Sequence, residues 1–176
     1  MNYISSDTNV WIDFSVIEKI ELPFLLPDTY IMYKEALDTE VVSPPELVDE
    51  LLKAGLKPVE LTTEEFFYAA ECMMRYPKIS RFDSTALAIA KKRRIPLLTG
   101  DLSLRRAAQE EEVEILGTIG ILDRLYYEKY INIEEYRFCL ENLLKHDERR
   151  LPAEEIKKRL DAEKVVLEEN DGFEGG

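Results

Sequence analysis

Histidine is almost missing from this chain of 176 residues, with His146 standing alone. A zinc site built from several histidines is therefore excluded, and a Ser-His-Asp triad has only one imidazole to draw on. Cysteine is nearly as scarce. Cys72 and Cys139 both fall in amphipathic, helix-like segments, where they read as half-buried thiols in a reducing compartment rather than as a disulfide. No apolar run approaches the roughly 20 residues that cross a bilayer, so no membrane partner is expected. The N-terminus has neither the basic start nor the long apolar stretch of a secretory signal, and the expected location is the cytoplasm. Positive charge is the other deficit. Lys and Arg number 23 against 36 Asp and Glu, a formal net charge of −13. That balance speaks against a general binder of phosphate backbones. The charge is uneven: acids crowd the C-terminal third, while bases cluster at Lys91-Lys92-Arg93-Arg94 and at Arg105-Arg106.

What is present is an alternation of strand-like and helix-like segments. Strands are expected at 2–6, 30–32, 57–61, 95–98 and 113–116. Helices are expected at 9–19, 34–41, 46–54, 63–76, 84–92, 103–111, 118–127, 133–146 and 153–163. Two of them carry capping boxes, Thr62 with Glu65 and Ser80 with Asp83. Pro23 and Pro27 bracket an apolar knot in a loop. The alternation predicts an α/β fold with a small, mostly parallel sheet. Residues 1–127 are expected to form the main domain, 128–166 a helical C-terminal appendix, and 167–176 a disordered tail. The apolar stripes of the late helices (Ile121, Leu122, Leu125; Tyr136, Leu140, Leu143, Leu144) are read as core, with a dimer face as the alternative.

In open parallel sheets, ligands bind beyond the carboxyl ends of the strands. Asp7 ends the first strand and Asp101 follows the strand 95–98, so both project at that edge. Asp83 sits in the first turn of a helix, and Glu40 near the end of another. Singly, each has an ordinary reading. Asp7 and Asp101 suit helix caps, Asp83 suits the helix dipole, and Glu40 suits a solvated surface. Glu35, Asp38 and Glu46 compete with Glu40 for the fourth place. Together the four describe converging carboxylates, which must take up protons or bind cations. With no His or Cys placed among them, the donor set suits Mg²⁺ or Mn²⁺. Thr8, Asn9, Ser84, Thr99 and Ser103 lie close in sequence and can orient the carboxylates or bound water.

Three stretches, SDTNVWIDF, RFDSTALAIAKKRRIPLLTGD and LRRAAQEEEVEILGTIGILDRL, resemble the PIN-domain superfamily of metal-dependent ribonucleases over about residues 2–125. The resemblance implies a three-layer α/β/α fold with Asp7, Asp83 and Asp101 as metal ligands and Glu40 as the further catalytic acid. It implies Mg²⁺ or Mn²⁺ as cofactor and RNA as substrate. Lys91, Lys92, Arg93, Arg94, Arg105 and Arg106 read either as lining the approach or as the solvated faces and last turns of helices, and Arg105 and Arg106, soon after Asp101, are the better candidates for phosphate contact. Relatives of the toxin type add a small antitoxin protein and a homodimer as expected partners, although this chain is longer than a typical toxin. Two other strand–Asp families fit less well. A haloacid-dehalogenase-type phosphatase needs an Asp where Asn9 stands, and a phospho-receiver needs a Lys where Thr99-Gly100-Asp101 stands. The non-enzyme alternative is a PIN-like scaffold that binds RNA or protein without cleaving.

Overall fold

A computed structural model describes residues 2–41, 44–146 and 151–171. Five parallel strands form one sheet in the order β3-β2-β1-β4-β5. They are β1 (Asn2–Ser6), β2 (Asp28–Tyr33), β3 (Lys57–Val59), β4 (Leu97–Leu98) and β5 (Ile115–Leu116). The helices are α1 (Thr8–Val16), α2 (Lys34–Glu40), α3 (Leu47–Ala54), α4 (Thr63–Arg75), α5 (Arg81–Arg93), α6 (Leu102–Glu110), α7 (Thr118–Tyr127), α8 (Ile133–Lys145) and α9 (Ala153–Asp171). The order of the strands reverses direction at β1, between β2 and β4, and this is the crevice where such sheets place ligands.

Alternation along the strands sorts the helices into two layers. Ile4, Tyr30, Met32 and Leu98 face a core shared with α1, α2, α3, α7, α8 and α9. Leu97 faces a second, smaller core with α5 and α6, closed by Cys72 of α4. Ser5, also on that second side, donates to the Ala86 carbonyl of α5 at 2.9 Å. A serine here lets α5 lie close against β1. The architecture is the three-layer α/β/α fold expected, with the late helices packed on the first core. Ile121, Leu122, Leu125, Tyr136, Leu140 and Leu143 are all buried there, so the stripes of α7 and α8 are core and not a dimer face.

Several boundaries differ from the sequence reading for local reasons. β4 is short because Pro96 has no N–H to give the ladder and Ile95 bonds back to Ala90 at 3.0 Å. β5 is short because the Val113 N–H returns to the Ala108 carbonyl at 2.9 Å. α1 stops at Val16 because Glu18 takes a left-handed backbone, φ 56°. The knot between Pro23 and Pro27 is a 3₁₀ turn, Leu22–Leu25, whose Phe24 ring stacks on Trp11. The segment expected as a tail from 167 is helical as far as Asp171, and 172–176 lie outside the described residues.

Candidate active site

Three helix N-termini meet the carboxyl edge of the sheet, and each brings an acid. Asp7 leaves β1 and caps α1, accepting from the Thr8 N–H at 2.7 Å. Asp83 occupies the third position of α5, in a reciprocal capping box with Ser80: each backbone N–H bonds to the other side chain, at 2.7 and 3.1 Å. Asp101 caps α6 and accepts from the Leu104 N–H at 2.8 Å. All three are therefore caps as well as site candidates. The ordinary reading and the functional reading describe the same side chains.

Two hydroxyls tie the acids into one unit. Thr8 Oγ1 donates to Glu40 Oε2 at 2.7 Å, bringing the end of α2 to the start of α1. Thr99 Oγ1 donates to Asp7 Oδ2 at 3.0 Å and accepts from the Asp101 N–H at 3.1 Å. Thr99 thus links the acids of two neighbouring parallel strands. Its own carbonyl is held by Arg105 Nη1 at 3.0 Å. Of the acids that competed for the fourth place, Glu40 is the one that joins Asp7. Glu35 instead bonds Tyr33 and Arg81 in the open, at 2.8 and 2.6 Å, and Glu46 stands ahead of α3. Tyr33, Phe82 and Thr85 complete the shallow cleft around Asp7, Thr8 and Glu40.

The electrostatics of this unit are unfavourable without a cation. Asp7 is only 4% exposed. Its carboxyl is pushed up to about 7, first by burial and then by the nearby Asp83 carboxylate, with Glu40 adding to the effect. The bonds from Thr8 and Thr99 pull the other way without compensating. Glu40 is also raised, by burial and then by Asp83, against the Thr8 bond. Among the described residues, no three His, Cys, Asp or Glu side chains stand close enough to enclose a metal ion as folded. The donor chemistry nonetheless fits a hard divalent cation. The donors are all oxygen, and the charges that raise Asp7 and Glu40 are those of neighbouring carboxylates.

The cluster Lys91-Lys92-Arg93 is not at this site. Lys91, Lys92 and Arg93 lie at the far end of α5, about 12–15 Å along the axis from Asp83. Arg93 pairs with the buried Glu65 at 2.6 Å, and Lys92 with Glu64 at 2.8 Å. They are the last turn of a helix, where cations are stabilised by the dipole, and do not line the approach. Arg105 is half-buried and engaged with Thr99, whereas Arg106 is exposed on the next position of α6. Asn9 and Ser103, in the first turns of α1 and α6, are half-buried.

One acid escaped the sequence reading. Asp13 is 2% exposed and accepts from Thr118 Oγ1 at 2.6 Å, at the start of α7. A Cβ placed on Gly100 would lie 4.0 Å from Asp13 Oδ2, so this carboxylate backs directly onto the Thr99-Gly100-Asp101 loop. The available signal was an acid inside the apolar run of α1, where a solvated position is not offered.

The Ser80 box gives a first test of how the cap and site roles divide. Ser80→Ala removes the hydroxyl that caps α5 but leaves the Ser80 N–H that holds the Asp83 carboxylate. Urea denaturation should show a loss of about 1 kcal/mol. Asp83 function should survive, because its own bond is backbone-made.

No curated protein and no solved structure matches this chain. A family model does match: DUF3368, described as a PIN domain, over residues 3–164. The matched region covers β1 to β5 and continues through α8 into α9. Since that is nearly the whole chain, the protein belongs to the PIN-domain family.

Proposed function

We propose that this chain is a Mg²⁺- or Mn²⁺-dependent endoribonuclease that hydrolyses phosphodiester bonds of single-stranded or structured RNA. PIN domains are in general nucleases, which makes phosphodiester hydrolysis the coarse reading. The observation that carries the finer one is Asp7, a buried carboxylate whose neighbouring charges are further carboxylates. Asp7, Asp83 and Asp101 would hold the ion, with Glu40 as the adjoining acid. When bound, it supplies an activated water and the positive field that an acidic chain lacks.

The chain's own residues do the rest. Thr99 fixes one Asp7 oxygen and Thr8 fixes Glu40, so neither carboxylate is left to rotate. The Ser80 and Leu104 N–H groups hold Asp83 and Asp101 in the same way. The N-terminal ends of α1, α5 and α6 present their positive dipole ends to the edge where a phosphate would approach. Arg106, exposed on α6, is the candidate phosphate contact, and Arg105 acts through Thr99. A toxin role, with a small antitoxin protein as inhibitor, is the setting that the resemblance suggests.

The test is cleavage of single-stranded RNA with Mn²⁺ present. The wild type should cleave, EDTA should stop it, and Asp101→Asn should lower the rate at least about 100-fold, in line with losses for residues that stabilise transition-state charge. Asn keeps the Leu104 cap, so the fold should be unchanged. The second reading, a scaffold that binds RNA without cutting it, draws on the absence of a closed three-acid group among the described residues. It requires RNA binding with no metal-dependent cleavage by the wild type across varied RNAs.

A further inference from the structure

The rim of the acidic cleft carries a flat cation whose orientation is fixed. Arg81 and Phe82 open α5, immediately before Asp83. The Arg81 guanidinium lies over the Phe82 ring, 5.1 Å from its centroid. Its Nη2 donates to Glu35 Oε1 at 2.6 Å, and the Tyr33 hydroxyl donates to the other Glu35 oxygen at 2.8 Å. The Tyr33 and Phe82 rings close the circuit, with centroids 6.4 Å apart. Side chains from the end of β2, the first turn of α2 and the first turn of α5 thus hold one guanidinium plane in place. Tyr33 and Phe82 are also walls of the cleft around Asp7, Thr8 and Glu40.

Stability is a poor explanation for this circuit. The ion pair stands in water, with Arg81 58% and Glu35 45% exposed, and solvent screens a pair of that kind until it adds little to the fold. What the circuit does provide is a free surface. A guanidinium has its donors around the edge and a flat, weakly hydrated face on each side. Glu35 takes part of the edge and Phe82 takes one face. The second face is turned outward beside the acids. We propose that this face is a stacking platform for an unpaired nucleobase of the substrate, set next to the phosphate that the acidic edge receives. The inference rests on the reading that RNA comes to that edge, and it selects single strands as the substrate class.

The chemistry favours a base over a phosphate. Glu35 neutralises Arg81, so the pair adds no net positive field to a chain of charge −13. A phosphate would have to compete with Glu35 for the N–H edge, whereas a base needs only the plane. Unpaired bases stack on aromatic rings and on Arg planes, while paired bases keep their faces inside the helix. The placement also suits one nucleotide. Arg81 and Asp83 are two positions apart on α5, about 3 Å along the axis, so a base on the platform leaves its own backbone at the acids. Every base has a flat face, so the platform demands a single strand without demanding a sequence.

Fluorescence anisotropy of the full chain with two labelled probes tests it. One probe is an eight-nucleotide adenosine RNA, and the other is a ribose-phosphate chain of the same length without bases. Ca²⁺, which takes oxygen ligands, keeps the acids neutralised during the titration. The wild type should bind the adenosine probe more tightly than the baseless one. Arg81→Lys keeps the charge and loses the plane. It should weaken the adenosine probe at least about 5-fold and leave the baseless probe unchanged. Phe82→Leu, which removes the support under the plane, should act in the same direction, and the circular dichroism spectrum should be that of the wild type in both. Cleavage with Mn²⁺ is measured on the same proteins. A wild type that shows this base-dependent binding without cleaving would sink the nuclease reading and leave the platform standing. Equal losses on both probes would make Arg81 a phosphate contact and overturn the platform, whether or not the chain cleaves. So would adenosine binding unmoved by Arg81→Lys, or a wild type that does not tell the two probes apart.

Discussion

Replacing Asp7 with asparagine should make the metal-free protein more stable while removing the proposed metal-dependent cleavage. The carboxyl titrates near 7 in the fold against an ordinary value of 3.8, because it is buried beside Asp83 and Glu40. A carboxyl raised in the folded state binds its proton more tightly there than in the unfolded chain. Its share of stability is therefore fully present below about pH 4. That share falls as the pH rises toward 7 and is gone above it. The difference between 3.8 and about 7 corresponds to about 4 kcal/mol at most, and a few kcal/mol is the scale expected. For a chain of this size that amounts to roughly 10 °C in melting temperature.

The asparagine avoids this cost because it carries no charge. Its amide oxygen can still accept from the Thr8 N–H, and its NH₂ can meet the Thr99 hydroxyl. Thermal melts in EDTA should place Asp7→Asn above the wild type at pH 8, with the gap narrowing toward pH 5. Saturating Mn²⁺ should raise the wild type and leave the variant where it was. A variant that melts lower than the wild type at pH 8 would mean that Asp7 is chiefly a cap. Strain of this kind collects where function requires it, and the rest of the fold must compensate.

Trp11→Ala should lie at the opposite extreme, with a loss of about 3–5 kcal/mol and no rescue by metal. The ring is fully buried. It stacks on Phe24 with centroids 5.2 Å apart and meets Tyr30 edge-on at the same distance. Its Nε1 donates to Ser6 Oγ at 3.0 Å, so the side chain also braces the residue beside Asp7. Trp11→Phe keeps most of the packing but leaves the Ser6 hydroxyl without that donor, and should cost about 1–3 kcal/mol. Urea denaturation checks both, followed by circular dichroism since Trp11 is the only tryptophan. If the ring served to stack an RNA base instead, its removal would weaken RNA binding and spare stability.

The fold was legible because its signals are local. The capping boxes at Thr62 and Ser80 set the starts of α4 and α5, and both are formed as read. The helix expected at 46–54 ends there, closed by Gly55 with φ 126°. The errors fall on short strands, where a few backbone bonds decide. The extra pairing that β4 and β5 forgo goes to the preceding helices, through Ile95 to Ala90 and Val113 to Ala108. No propensity encodes that choice.

The candidate site was legible in part. Asp7, Asp83 and Asp101 sit at strand ends or helix starts, and a parallel sheet gathers such positions at one edge. Glu40 was not separable from Glu35, Asp38 and Glu46, because its place depends on one long-range bond to Thr8. Asp13 was missed for the same reason: its partner, Thr118, is 105 residues away. The charge clusters were legible either as an approach path or as the last turn of a helix, and Lys92 and Arg93 take the second place, paired with acids of α4.

The claim on which the rest depends is that the acidic edge takes a divalent cation. Calorimetric titration of the metal-free protein with Mn²⁺ at pH 7.5 measures this without any need to know the RNA target. Saturable binding to the wild type, with proton release from Asp7 and loss of the signal in Asp7→Asn, is the expected result. No binding by the wild type, or equal binding by Asp7→Asn, would contradict it.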